Sequence, residues 1–180
     1  MKSLKQDNII NFISRIRVPA GWFFFILVAC IGKFEKTWPV ILILIGEAFR
    51  TIAAGTIIKN EKLATEGVYN IVRHPLYLGS FCIALGLCFI CNEILIWIYF
   101  LIFFPATYIA AIKIEEKWLK TKFKDSFEEY KKNIPAFVPL KIRKFQKKGM
   151  FSWKLAFKNK EHHNWLILAV VLIILILKSR

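Results

Sequence analysis

Apolar residues in this chain fall into five long blocks, at about 18–32, 38–58, 76–91, 94–112 and 165–177, separated by polar and mostly basic stretches. A helix crossing the hydrocarbon core of a bilayer needs about 20 such residues, with about 17 as the lower limit. The second and fourth blocks meet that length outright. The first and third fall slightly short and the fifth clearly so, which requires them to borrow flanking residues or to sit in thinned lipid. Only Asn92 and Glu93 separate the third block from the fourth, so these two form an antiparallel helical hairpin with a tight turn. The pattern predicts an all-α, polytopic membrane helical bundle of about five transmembrane helices.

The period changes after the fourth block. From 113 to 133, Ile114, Trp118, Leu119, Phe123, Phe127 and Tyr130 recur at helical spacing with Lys, Glu and Asp between them, the pattern of an amphipathic helix lying on the membrane surface. The stretch 141–160 is more basic still and offers Phe145, Met150, Phe151, Trp153 and Phe157 to an interface. The expected organisation is one domain over residues 1–180, with a core at about 38–140, a basic interfacial segment at 141–164 and a candidate extra span at 165–177. No internal repeat stands out.

Composition narrows the class. The chain is 57% hydrophobic with a formal net charge of +15, and its basic residues adjoin apolar spans instead of alternating with exposed aromatics on a soluble face. That argues for an integral membrane protein facing anionic headgroups, and against nucleic acid as a partner. Lys2, Lys5, Arg15, Arg17, Lys59, Lys62, Arg73 and most of the remaining basic residues fall on one side of the threading, against Lys33 and Lys36 on the other, joined by Lys178 and Arg180 if the last block spans. The positive-inside rule then puts the N terminus and the 59–75 loop in the cytoplasm. The early run from Trp22 to Ile31 lacks a small-residue cleavage site and reads as a retained helix. Cys30, Cys82, Cys88 and Cys91 all lie in apolar stretches and imply no disulfide framework. His162 and His163 have no third ligand nearby, so no metal site is expected.

Candidate chemistry gathers at two places that the hairpin brings to one membrane face. At the first, Arg73-His74-Pro75 opens the third helix. Pro75 suits the first helical turn, His74 stands at the helix mouth, where free backbone N–H groups attract anions, and Arg73 adds a forked cation. Tyr77 offers a ring and a hydroxyl, and Gly79 lets a ligand or a neighbouring helix approach closely. At the second, Glu115 and Glu116 leave the fourth helix at adjacent positions, about 100° apart, so one faces the site and the other faces solvent. Deeper in the second block, Glu47 and Arg50 share a helix face; they either neutralise each other or take a direct part in ligand handling. Interfacial anchoring accounts equally well for Arg73, His74 and Tyr77 taken by spacing alone.

The ordered set Arg50; Leu63, Thr65, Gly67, Tyr69 and Arg73-His74-Pro75-Leu76-Tyr77-Leu78-Gly79; then Glu115-Glu116, Leu119, Phe123, Tyr130 and Phe137-Val138-Pro139 resembles the isoprenylcysteine carboxyl methyltransferase and phospholipid methyltransferase superfamily of integral membrane enzymes. The resemblance covers about half of the chain. It implies an S-adenosylmethionine-dependent methyltransferase with its active site on the cytoplasmic face and a lipid or prenylated acceptor entering from the bilayer. By that resemblance His74, Tyr77, Gly79 and one of Glu115 or Glu116 would contact the cofactor, and Arg73, with Arg50, would organise the site or the acceptor. On chemical grounds alone, Arg73 or Arg50 could hold an acceptor carboxylate, whereas Glu47 could receive a proton from an amine. The sequence departs from the family pattern at Lys124, where the family has Gly, at Phe127, where it has Tyr, and at Val68, where it has Pro. A phospholipid N-methyltransferase is the alternative acceptor class. A sterol-type double-bond reductase and a non-catalytic membrane assembly or transport module are the competing readings from other classes.

Overall fold

The computed structural model describes residues 2–58, 61–139 and 151–179, all of them helical or connecting. The helices are α1 (Lys2–Ile31), α2 (Val40–Thr56), α3 (Pro75–Cys91), α4 (Ile94–Asn133), α5 (Trp153–Lys158) and α6 (Glu161–Lys178), with a single 3-10 turn at Gly67–Asn70 before α3. Each of the five apolar blocks is a helix. Half of the basic stretch 141–160, with Phe145 and Met150, lies outside the described residues, as does Lys59.

One apolar core joins five helices. Phe24 and Val28 of α1, Ile43 of α2, Ile83, Leu87 and Ile90 of α3, Ile96 and Phe100 of α4, and Leu168, Val171 and Leu175 of α6 pack into a single buried cluster. Outside it the polarity is inverted relative to a water-soluble protein: Leu44, Leu101, Leu166 and Leu177 are each more than 60% exposed, a surface that only lipid would cover without cost. The apolar stretch of α1 from Ile10 to Ile31, α4 and α6 are long and apolar enough to cross a membrane. The chain is an integral membrane protein. At 17 residues apiece, α2 and α3 rise only about 26 Å, the lower limit for a span.

The fifth block is longer than its apolar run. Glu161 to Asn164 join the helix ahead of Trp165, giving α6 18 residues, and Glu161 and Asn164 of that first turn find partners on α2. At the other end, Lys178 donates to the carbonyls of Ala29 and Cys30 and ties α6 to α1.

Glycine sets the closest helix contact. A Cβ on Gly79 would stand 2.5 Å from the Gly46 carbonyl oxygen and 2.5 Å from Cγ of Arg50, so α2 and α3 touch backbone to backbone. Gly79 serves this helix packing; among the described residues it lines neither cavity of the site below.

The α3–α4 turn is as short as the sequence requires. Asn92 ends α3 in the left-handed conformation, φ 53°, and Glu93 leads directly into α4. The amphipathic stretch 113–133 then continues α4 as far as a kink at Lys124, where the backbone leaves helical geometry, φ 44° and ψ −118°, and a second helical piece follows. That backbone region is open to glycine and costs other residues about 1–3 kcal/mol. Lys124→Gly is therefore expected to stabilise the protein by about 1 kcal/mol, part of the relief being offset by the looser unfolded chain of a glycine variant. Thermal unfolding in detergent micelles measures this. Beyond the bend, Phe127, Tyr130 and Ile134 bury themselves against Leu63, Leu119 and Phe123, and the Tyr130 hydroxyl donates to the Tyr69 carbonyl at 2.6 Å. Phe127, where the family pattern has Tyr, is 1% exposed, so the missing hydroxyl leaves no polar group to satisfy. This anchors the end of α4 over the 61–74 loop.

Candidate functional site

The backbone before α3 is held from both sides. The Arg73 amide donates to the Pro135 carbonyl at 2.9 Å and the His74 amide to Ala136 at 3.1 Å, so the strand leaving α4 fixes the position of the imidazole. His74 is the residue preceding helical Pro75 and is 3% exposed.

Both glutamates reach this ring. Glu116 Oε1 lies 3.3 Å from Nε2 of His74, and Glu115 Oε2 lies 3.6 Å from Nδ1. Both reach one site where wheel geometry allowed for one, although the Glu115 side chain stays 40% exposed: their Cα positions diverge around the helix, but each side chain has three rotatable bonds and closes on a different nitrogen of one ring. Their remaining contacts differ. Glu116 also receives Nε and Nη2 of Arg73, at 3.0 and 2.6 Å, and the Lys131 ammonium at 3.0 Å. Glu115 accepts the Tyr77 hydroxyl at 2.8 Å. The Tyr77 ring stacks beside the imidazole, centroids 5.6 Å apart, and its oxygen accepts from Arg17 of α1.

Charge is concentrated here under partial burial. Burial opposes the charged form of His74, but the bonds and charges of Glu115 and Glu116 outweigh it and raise its pKa above 6.5. Burial likewise pushes Glu116 up, while His74, Lys131 and Arg73 together hold it well below the carboxylate range. Glu115 is also lowered, with burial overcome by His74, Tyr77 and Arg17. A histidine raised on folding contributes stability that is complete below its unfolded pKa, about 6.5, and is lost as pH rises through the folded value. The difference in melting temperature between the wild type and His74→Gln is expected to be largest at about pH 6 and to shrink as pH rises from there. A difference that widens with pH would contradict this assignment of charge.

Two cavities meet at these side chains. The smaller, about 340 Å3, is lined by His74, Tyr77 and Glu115 together with Tyr69, Trp118 and Phe123. The larger, about 520 Å3, runs between α1, α3, α4 and α6 past Phe24, Ile83, Phe100 and Phe104. Arg17, Ile57, Leu76 and Tyr77 belong to the walls of both. Arg73 lines the smaller cavity, but its fork is turned to Glu116 and to the carbonyls of Lys131 and Ile134.

A family model described as phospholipid methyltransferase matches residues 24–126, a stretch that holds His74, Tyr77 and both glutamates. The chain belongs to the phospholipid methyltransferase family. It is 32% identical over 111 residues to the protein-S-isoprenylcysteine O-methyltransferase of Schizosaccharomyces pombe, covering 62% of this chain and 46% of that protein. It is 35% identical over 81 residues to the cobalt-zinc-cadmium resistance protein CzcN of Cupriavidus metallidurans (45% of this chain, 37% of that protein). To the protein-S-isoprenylcysteine O-methyltransferase B of Arabidopsis thaliana it is 37% identical over 82 residues (45% and 41%). The chain thus spans less than half the length of these relatives. No solved structure matches it.

The polar pair of α2 lies within the family segment but finds its carboxylate and amide partners outside it. Glu47 and Arg50 do not neutralise each other as a closed pair; α6 runs antiparallel to α2 and answers both. Arg50 donates Nε and Nη2 to Glu161, at 2.7 and 3.1 Å, and Nη1 to Ser80 at 2.6 Å. Glu47 accepts from Asn164 at 2.7 Å, and Trp165 donates to Thr51. Arg50 lines the larger cavity, whereas Glu47 lines neither. Sequence reasoning missed Glu161, Asn164 and Arg17. The spacing of 161 and 164, matching that of 47 and 50, was the available signal.

Proposed function

We propose that the protein is an S-adenosylmethionine-dependent methyltransferase acting on an isoprenoid or lipid-borne acceptor. The observation that carries this reading is the pair of adjoining cavities, one polar and aromatic at the mouth of α3, the other apolar and set among the spans, with Tyr77 in the wall of both.

The donor set of the smaller cavity suits a sulfonium nucleoside. Its volume lies in the range of small-ligand sites, and Trp118, Phe123 and Tyr69 offer apolar and aromatic surface for a purine. The Tyr77 ring is already taken by Arg17 and His74, and its hydroxyl holds Glu115 at the cavity wall. Glu115, held ionised and open to the cavity, would take ribose hydroxyls or an ammonium; Glu116 is occupied by Arg73 and Lys131, which makes Glu115 the cofactor-binding member of the pair. Bound S-adenosylmethionine would supply an electrophilic methyl group. The chain's own part is to orient, to exclude water and to hold charge in place, since an in-line displacement needs alignment more than a nucleophilic side chain. His74 fixes both glutamates, and Arg73 positions Glu116. The basic side of the bundle faces the cytoplasm by the positive-inside rule, which would bring the polar cavity to the inner headgroups.

Equilibrium dialysis of labelled S-adenosylmethionine against purified protein is the test. Saturable binding displaced by S-adenosylhomocysteine is expected, and folded protein without such binding would refute the reading.

A further inference from the structure

Three arginines line the two cavities, and two of them are fully engaged. Arg73 gives Nε and Nη2 to Glu116 and Nη1 to backbone carbonyls. Arg50 gives Nε and Nη2 to Glu161, which is 4% exposed, and Nη1 to Ser80. An incoming anion would have to displace a buried carboxylate from either. Arg17 differs. Among the described residues it makes no ion pair: it donates one N–H to the Tyr77 hydroxyl and lies over that ring, 5.0 Å from its centroid. A guanidinium carries five donors and a full charge; the Tyr77 hydroxyl takes one donor, and Glu115, which accepts from that same hydroxyl, answers the charge only through space.

We propose that Arg17 binds the methyl acceptor, taking an acceptor carboxylate at the point where the two cavities join while the acceptor's apolar chain lies in the larger one. The inference rests on the methyltransferase reading above. Arg17 lies before the stretch that the family model matches, so it comes from this chain's geometry alone. Position supports it: Arg17 and Tyr77 both belong to both walls, so a group held there stands beside the smaller cavity. Charge supports it too. Planar guanidinium and carboxylate match in bidentate geometry, and the carboxylate in the wall of the larger cavity, Glu161, is held by Arg50, while Glu47, with one oxygen unpartnered, lines neither cavity. An amine acceptor in the larger cavity would need a carboxylate within reach to receive its proton. A carboxylate needs none: its oxygen lone pair takes the methyl group, the carbon–sulfur bonding pair stays on sulfur, and a methyl ester and a neutral thioether result.

The experiment uses the purified full chain in lipid nanodiscs, with an S-farnesyl N-acetylcysteine acid as acceptor, its primary amide as competitor, and phosphatidylethanolamine in the disc as the rival acceptor. Cofactor binding is measured first, without acceptor. Arg17→Met is expected to raise the KM for the acid at least tenfold while cofactor affinity changes less than threefold, and Arg17→Lys is expected to recover part of the loss. On the wild type, the amide is expected to compete at least tenfold more weakly than the acid inhibits its own labelled form, a comparison that needs no variant to fold. An unchanged KM in Arg17→Met, equal competition by acid and amide, or label in phosphatidylethanolamine and not in the acid overturns the proposal. So does a loss of cofactor affinity as large as the loss for the acid, which would assign Arg17 to the cofactor. Wild-type protein that binds no cofactor refutes the methyltransferase reading itself, and this inference with it.

Discussion

Glu161→Ala protein is expected to lose about 3–5 kcal/mol of stability, the range for removing one partner of a buried ion pair. Arg50 would remain, largely buried, with only Ser80 and a distant Leu76 carbonyl for its donors. Arg50→Ala should cost a similar amount, since it strands a carboxylate that is 4% exposed. The double variant is the informative one. Removing both charges spares the orphaned group, so it should be more stable than the sum of the single effects predicts. Denaturant or thermal unfolding of the four proteins in one detergent gives the cycle. Additive losses would mean that the pair does not hold α6 against α2.

His74→Ala is expected to weaken S-adenosylmethionine binding by about 10- to 100-fold, the range of a lost hydrogen bond to a charged group. The imidazole stands between two carboxylates. Without it they face each other across a small void, and Glu115 leaves the position that Tyr77 and His74 define. Lys120→Ala, on an exposed turn of α4 and paired with Glu128 across the bend, should leave binding unchanged. Equilibrium dialysis on the three proteins checks the contrast. Equal affinity in His74→Ala and wild type would remove the ring from the site.

Much of this architecture could be read along the chain because local rules sufficed. Asn92 and Glu93 leave no room for anything but a hairpin, and a hairpin returns the end of α4 to the start of α3; the structure brings His74 and Glu116 within 3.3 Å. Periodicity likewise gave the faces of the 113–133 stretch, though not that it continues α4 or that Lys124 bends it. Rotation about a helix axis was out of reach. A hydrophobic pattern shows which face is apolar but not which neighbour it meets, so the spacing of Glu47 and Arg50 left mutual neutralisation and ligand handling both open and gave no sign of Glu161 on another helix. The glutamates mark a second boundary. Wheel geometry locates Cα atoms, and two long side chains from adjacent positions closed on the same ring.

Biosynthesis feels the consequence of how far apart these partners lie. Arg50 and Glu161 are separated by 111 residues, and Arg73 and Glu116 by 43. A ribosome therefore releases Arg50 into the nascent bundle long before its counter-ion exists, and contacts of such separation form late. A chain stopped before α6 would carry an uncompensated guanidinium among its spans, so quality-control proteases acting on membrane proteins should clear premature products and spare the finished one.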